Sequence, residues 1–136
     1  MCYYLYGATD TRVNVEDHER YFKNSKYKFN IGTKDDVNKC VSESKNDYRI
    51  TDEYCDCETA LGDGKTSKKE LKEYKELLLG LRNLRDIQCV YLSKNWDGEV
   101  NEDEKTVHID EIDVVDFLAN IKDNCLYKIE LCKKYY

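Results

Sequence analysis

The stretch SKKELKEYKELLLGLRNLRDIQCVYLSK, Ser67–Lys94, decides the fold class because the spacing of its apolar residues changes within one segment. Its first half carries an apolar stripe at helical spacing, made of Leu71, Tyr74, Leu78 and Leu81, which predicts an amphipathic helix. Its second half, 87–94, is rich in apolar and aromatic residues and predicts a central strand. The segment therefore indicates a protein that packs helices on a sheet.

Shorter periodic segments on both sides extend this pattern. Further strands are predicted at 1–7, 26–31, 48–51, 105–112 and 125–132, and further helices after Asn14, after Thr33 and at 114–121. A turn at Asp97-Gly98 predicts that 105–112 pairs with 87–94 as a hairpin. The predicted order is β-α-β-α-β-α-β-β-α-β. We expect a single α+β domain over residues 1–136, with a mixed sheet of about five or six strands and about four helices.

Composition sets the expected class and compartment. The 136 residues are 40% hydrophobic and 37% charged, which is typical of a folded and soluble protein. The sequence shows no secretory signal and no run of about 18 apolar residues, so we expect a cytoplasmic protein that does not contact membranes. Seven cysteines in a reducing compartment predict free thiols, with Cys40 buried on a helix face. A net charge of −6 without a basic stripe argues against direct nucleic-acid binding.

The C-x-C pair of Cys55 and Cys57 is a candidate zinc site. Two thiolates at this spacing can contact one ion, although structural zinc usually takes four ligands from two spaced pairs, and no second pair is visible. Further ligands would have to converge in space from the set Cys2, Cys89, Cys125, Cys132, His18 and His108. His18 also fits a helix stripe with Val15 and Phe22, which predicts a histidine at the edge of the core.

A GKT sequence at Gly64–Thr66 follows the cysteine pair. A phosphate-binding loop of the type G-x-x-x-x-G-K-[ST] requires a first glycine where this chain has Thr59. The S-x-x-E pattern of Ser67 and Glu70 instead predicts a capping box at the start of the long helix, with the glycines allowing the preceding turn.

Cys2 is a candidate catalytic nucleophile. Removal of Met1 would leave it with a thiol and a free α-amino group, which can act as nucleophile and base. The opening MCYYLYG resembles the Met-Cys start of class II glutamine amidotransferases, which have glycine where this chain has Tyr3. The resemblance implies hydrolase or amidotransferase activity at Cys2. The alternative is that Cys2 is an ordinary strand residue.

An acidic segment between Asn95 and Asp116 holds nine carboxylates and one base, Lys105, so its net charge is −8. Such a surface can attract a basic partner, and Trp and Tyr are enriched in binding hot spots. The candidate binding residues are Trp96, Asp97, Glu102, Asp103, Glu104, His108 and Asp110. The alternative is a charged, solvated loop.

The sequence therefore favours a small acidic binding or regulatory module that acts by contact with a protein or a small ligand. Its size and composition suit a phage or mobile-element accessory protein. A cysteine-dependent enzyme using Cys2 and a zinc-stabilised domain using Cys55 and Cys57 are the alternatives. The enzyme alternative stays open but is weakened, because no Ser-His-Asp, H-E-x-x-H or dinucleotide-binding pattern is present. The sequence assigns no oligomeric state.

Overall fold

The computed structural model describes residues 2–11, 15–84 and 87–132. The strands are β1 (Tyr3–Thr11), β2 (Asn30–Ile31), β3 (Ile87–Trp96), β4 (Asp103–His108) and β5 (Cys125–Glu130). The helices are α1 (Val15–Phe22), α2 (Lys34–Ser42), α3 (Lys69–Arg82) and α4 (Val114–Ala119). Over this part of the chain, one five-stranded sheet has the order β2-β1-β3-β5-β4 and mixes parallel with antiparallel pairs. The predicted α+β class, mixed sheet and four helices are confirmed.

Helices cover both faces of the sheet because successive strand residues point to opposite sides. On one face, Leu5 of β1 and Val90 of β3 join a large core with residues of α1, α3 and α4. On the other face, Tyr6 and Tyr91 pack with buried residues of α2. The predicted helix stripe of α3 is buried along its whole length, and Cys40 and His18 are buried as predicted.

The N-terminal ends of the helices were predicted with different success. Thr33 caps α2 in a capping box with Asp36, as the sequence favours for this residue type. The capping box predicted at Ser67 is wrong, because α3 begins at Lys69 and its cap residue, Lys68, makes no side-chain hydrogen bond. The Glu70 carboxylate instead accepts hydrogen bonds from Thr59 and Ala60 in the preceding loop. The cap predicted at Asn14 lies outside the described residues.

The predicted hairpin between β3 and β4 is wrong. β5 lies between these two strands, antiparallel to β3 and parallel to β4. A parallel pair requires a crossover connection, which α4 provides between β4 and β5. Alternating apolar residues predict a strand but not its neighbour. The predicted strand 105–112 also ends earlier, at His108, where a 3₁₀ turn at Ile109–Glu111 begins.

Two other predicted strands are shorter in the structure. From the segment 26–31, only Asn30–Ile31 forms a strand, although Tyr27 and Phe29 are buried as the alternation predicted. The segment 48–51 forms one isolated bridge, between Arg49 and Tyr6. Its backbone nevertheless runs along the outer edge of β1, since the Ile50 N–H donates to the Leu5 carbonyl at 3.1 Å. None of the helices in the described residues has both the length and the apolar character needed to cross a bilayer.

Candidate metal centre

The loop that carries Cys55 and Cys57 is fixed to β1 through the residue between them, Asp56. The Asp56 N–H donates to the Tyr3 carbonyl at 2.8 Å, and the Leu5 N–H donates to Asp56 Oδ2 at 2.8 Å. Both the backbone and the carboxylate of Asp56 are therefore hydrogen-bonded to β1, as a buried polar residue requires. The flanking cysteines are thereby held beside the start of β1.

The negative charge of Asp56 is balanced by Arg49. Arg49 Nη2 lies 2.9 Å from Asp56 Oδ2, and the two side chains are 9% and 3% exposed. The Thr51 hydroxyl donates to the other carboxylate oxygen, Oδ1, and Arg49 Nη2 also donates to the Glu53 carbonyl at 2.9 Å. A buried carboxylate with this many partners is satisfied, so Asp56 serves to position its neighbours.

Three thiols meet at this loop. The Sγ atoms of Cys2, Cys55 and Cys57 all lie within 4.8 Å of one another. Cys2 and Cys55 are half-buried and Cys57 is exposed, and all three thiols are free. The Tyr3 N–H donates a hydrogen bond to Cys57 Sγ at 3.3 Å. Cys2 therefore lies beside Cys55 and Cys57, the predicted pair of metal ligands. Cys2 is also the residue that the sequence analysis named as a possible further ligand and as a candidate nucleophile.

The pKa values of Cys2 and Cys55 are shifted in opposite directions. Cys55 lies beside the Cys2 thiol, and hydrogen bonding from Cys2 and from the Cys57 backbone lowers the pKa of Cys55 below its ordinary value. Hydrogen bonding to Cys55, together with burial, raises the pKa of Cys2 to about 11. The proton shared between these two thiols is therefore held more strongly by Cys2 than by Cys55.

A cavity of about 490 Å³ opens next to the thiols. Cys55 and Cys57 form part of its wall, and Tyr27 and Glu70 form another part. The hydroxyl of Tyr27 is buried and has no hydrogen-bond partner within the described residues. The thiol cluster is thus accessible to a water molecule or a small ligand from one side.

The other cysteines lie away from this centre. Cys40, Cys89 and Cys125 are buried in the core and Cys132 is exposed, and none of them belongs to the three-thiol group. The glycines of the GKT region are also engaged, because the Gly62 and Gly64 N–H groups donate to the carbonyls of Leu118 and Ala119 at the end of α4. These N–H groups are not free to bind phosphate.

The residues predicted to bind a partner occupy different environments. Glu102, Asp103 and Glu104 are exposed on or next to β4, an outer strand of the sheet, and Asp97 is exposed after β3. Trp96 is half-buried and packs edge-to-face on Tyr3, with ring centroids 4.7 Å apart. Binding of a partner at these positions stays a prediction.

His108 and Asp110 form hydrogen bonds with neighbouring residues at the end of β4. His108 Nε2 lies 2.7 Å from the Cys132 carbonyl, and Nδ1 accepts a hydrogen bond from the Asp110 N–H at 3.1 Å. The Asp110 carboxylate forms a two-pronged ion pair with Arg82 on α3. These contacts join the end of β4 to α3 and to the segment after β5.

Sequence reasoning did not identify Asp56 and Arg49 as the residues that position the thiols. The sequence contains one signal for this role, the acid placed between two cysteines in C-D-C. Nothing in the spacing identifies Arg49 as its partner. Comparisons with protein-family models, with curated proteins and with solved structures find no match for this chain. Function is therefore inferred from the site alone.

Proposed function

We propose that this protein is a zinc-binding domain whose ion is held by Cys2, Cys55 and Cys57. The observation that carries the proposal is the convergence of three free thiols within 4.8 Å, from two segments more than fifty residues apart in sequence. Thiolates select soft or borderline ions, and zinc is the most common ion in sites rich in cysteine.

The distances suit one shared ion. In a tetrahedral site with zinc–sulfur bonds of about 2.3 Å, the sulfur atoms lie roughly 3.8 Å apart. The thiols, which all lie within 4.8 Å of one another, need to approach by at most about 1 Å, which rotation of the cysteine side chains provides. The loop that carries Cys55 and Cys57 is already held on β1 through Asp56.

Three protein ligands leave one position of a tetrahedral ion open. A site of this kind keeps a water molecule or an external ligand in the fourth position, whereas a purely structural site has four protein ligands. The cavity beside Cys55 and Cys57 gives a fourth ligand access. The ion would also cross-link the start of β1 to the loop at 55–57 and so stabilise the fold.

The protonation of the thiols predicts how binding depends on pH. Cys2 has a pKa of about 11 in the free protein and must lose its proton to bind the ion. Each ligand that is protonated before binding makes the apparent affinity rise with pH. We expect the apparent zinc affinity to increase from about pH 6 to about pH 8, with release of protons measurable in weakly buffered solution.

The direct test is titration of the reduced, metal-free protein with cobalt(II) under anaerobic conditions, followed by displacement with zinc(II). Tetrahedral thiolate coordination gives sulfur-to-cobalt charge-transfer absorption together with intense visible bands. We expect one equivalent to saturate these bands, and we expect Cys2→Ser, Cys55→Ser and Cys57→Ser each to weaken or abolish them.

Cys132→Ser is the matched control, because Cys132 is an exposed free thiol outside the cluster. This variant should bind cobalt like the unchanged protein. Absence of the charge-transfer bands in the unchanged protein, or bands that persist when all three cluster cysteines are replaced, contradicts the proposal.

A further inference from the structure

A second cavity, of about 450 Å³, lies beside the segment 44–54 and is separate from the three thiols. Three tyrosines, Tyr4, Tyr6 and Tyr54, form part of its wall. Tyr54 is 90% exposed, and tyrosine is one of the residue types enriched in binding hot spots. Tyr6 is only 4% exposed, so it forms the buried part of this wall.

The charges around this cavity favour a cation. Its lining includes the exposed carboxylates Asp52, Glu53 and Asp97, and one base, Arg49. The guanidinium charge is already balanced by Asp56, so Arg49 offers an anion little attraction. The remaining carboxylates give the cavity a net negative potential, which concentrates positively charged ligands.

The aromatic surface favours the same class of ligand. Arg49 itself lies over the Tyr4 ring, with 4.7 Å between the guanidinium carbon and the ring centroid. Arg49 therefore already occupies one face of the Tyr4 ring, and Tyr54 is the exposed ring of the lining. Aromatic rings attract cations through their negative faces, and several rings with nearby carboxylates form a common recognition site for ammonium and guanidinium groups.

We propose that this cavity binds an organic cation, a guanidinium or an ammonium group, between Tyr54 and the carboxylates Asp52, Glu53 and Asp97. The cation comes either from a free small molecule or from a basic side chain of a polypeptide. This inference does not rest on the proposed zinc site. Cation binding uses residues on the outer side of the segment 49–54, and none of the three cysteines lines this cavity.

The test is a nuclear magnetic resonance titration of the full chain with acetyl-arginine amide and with tetramethylammonium. Acetyl-glutamate amide, which is similar in size to the arginine probe but negatively charged, is the control ligand. We expect both cations to shift the amide signals of Tyr54, Asp97 and their neighbours, and we expect the anion to leave them unchanged. The affinity should fall as salt is raised, because the carboxylates are exposed.

Tyr54→Ala and Asp97→Asn remove an exposed ring and an exposed charge, so both variants should remain folded. Each should weaken cation binding by up to about 5-fold, the range for one cation–π contact (Tyr54) or one exposed ion pair (Asp97). Glu76→Gln, an exposed carboxylate on α3 outside the cavity lining, is the control and should bind as before.

The source of the cation is distinguished with a peptide that carries one arginine between glycines. Tighter binding of the peptide than of acetyl-arginine amide indicates a polypeptide partner, and equal binding indicates a free small cation. The proposal is overturned if neither cation shifts signals at the cavity, if acetyl-glutamate amide binds equally well, or if Tyr54→Ala and Asp97→Asn leave the affinity unchanged.

Discussion

Replacement of Asp56 by asparagine should lower the free energy of unfolding by about 3–5 kcal/mol, the range for removal of one partner from a buried ion pair. The side chains of Asp56 and Arg49 are 3% and 9% exposed, so water screens this interaction little. Asparagine has nearly the same shape, and its oxygen can still accept from the Leu5 N–H. The loss is therefore mainly that of the carboxylate charge, which leaves Arg49 buried without a counter-ion.

The assay is urea unfolding of the reduced, metal-free protein, so that any contribution of a bound ion is excluded. Asp52→Asn, an exposed carboxylate four residues earlier, is the matched control and should change stability by less than about 0.5 kcal/mol. Arg49→Gln should be similarly destabilising alone, and in the double variant the two losses should be less than additive. A loss below about 1 kcal/mol for Asp56→Asn, or additive losses, would refute the view that this pair fixes the cysteine loop.

Three further predictions concern other parts of the fold. Burial lowers the pKa of His18, so the unfolded chain binds a proton at this histidine at a higher pH than the folded protein does. Acidification from about pH 7 to about pH 5 should therefore destabilise the unchanged protein more than the His18→Gln variant. Urea unfolding at the two pH values measures this difference. Glu70→Gln should cost about 1–2 kcal/mol, because it weakens charge-assisted hydrogen bonds to the preceding loop, whereas Glu76→Gln should have almost no effect. Gly7→Ala should lower the free energy of unfolding by about 2 kcal/mol or more, because the added Cβ would lie 2.7 Å from a backbone oxygen of β3. Gly98→Ala should lower it by about 1 kcal/mol, because the added Cβ meets open space and only the positive φ opposes it. Equal shifts of the melting temperature for the two variants would contradict this difference.

Local patterns predicted the individual elements of this fold well. The stripe of α3, the buried strand after it and the helix that begins after Thr33 all follow from residue spacing and side-chain chemistry within one segment. The pairing of strands was predicted less well, because it depends on which segments meet in space. The chain crosses over through α4 so that β5, and not β4, lies beside β3. The residues in the turn after β3 do not predict this pairing.

The same difference between local patterns and long-range contacts applies to the candidate site. The C-x-C spacing identified Cys55 and Cys57 as a pair with metal-ligand chemistry. Their meeting with Cys2 depends on the segment 48–56 running along β1, a feature held by backbone hydrogen bonds and by the pair of Asp56 and Arg49. The residue spacing of a single sequence does not predict contacts between segments that lie so far apart in the chain.

The most direct test of the zinc proposal is the stoichiometry of thiolate-bound metal in the full chain. Cobalt(II) added to the reduced protein should give sulfur-to-cobalt charge-transfer absorption that saturates at one equivalent and disappears on addition of zinc(II). The absorption should remain in Cys132→Ser and be lost when Cys2, Cys55 and Cys57 are all replaced by serine. Absorption that does not form, or that survives loss of these three thiols, would contradict a metal centre at this loop.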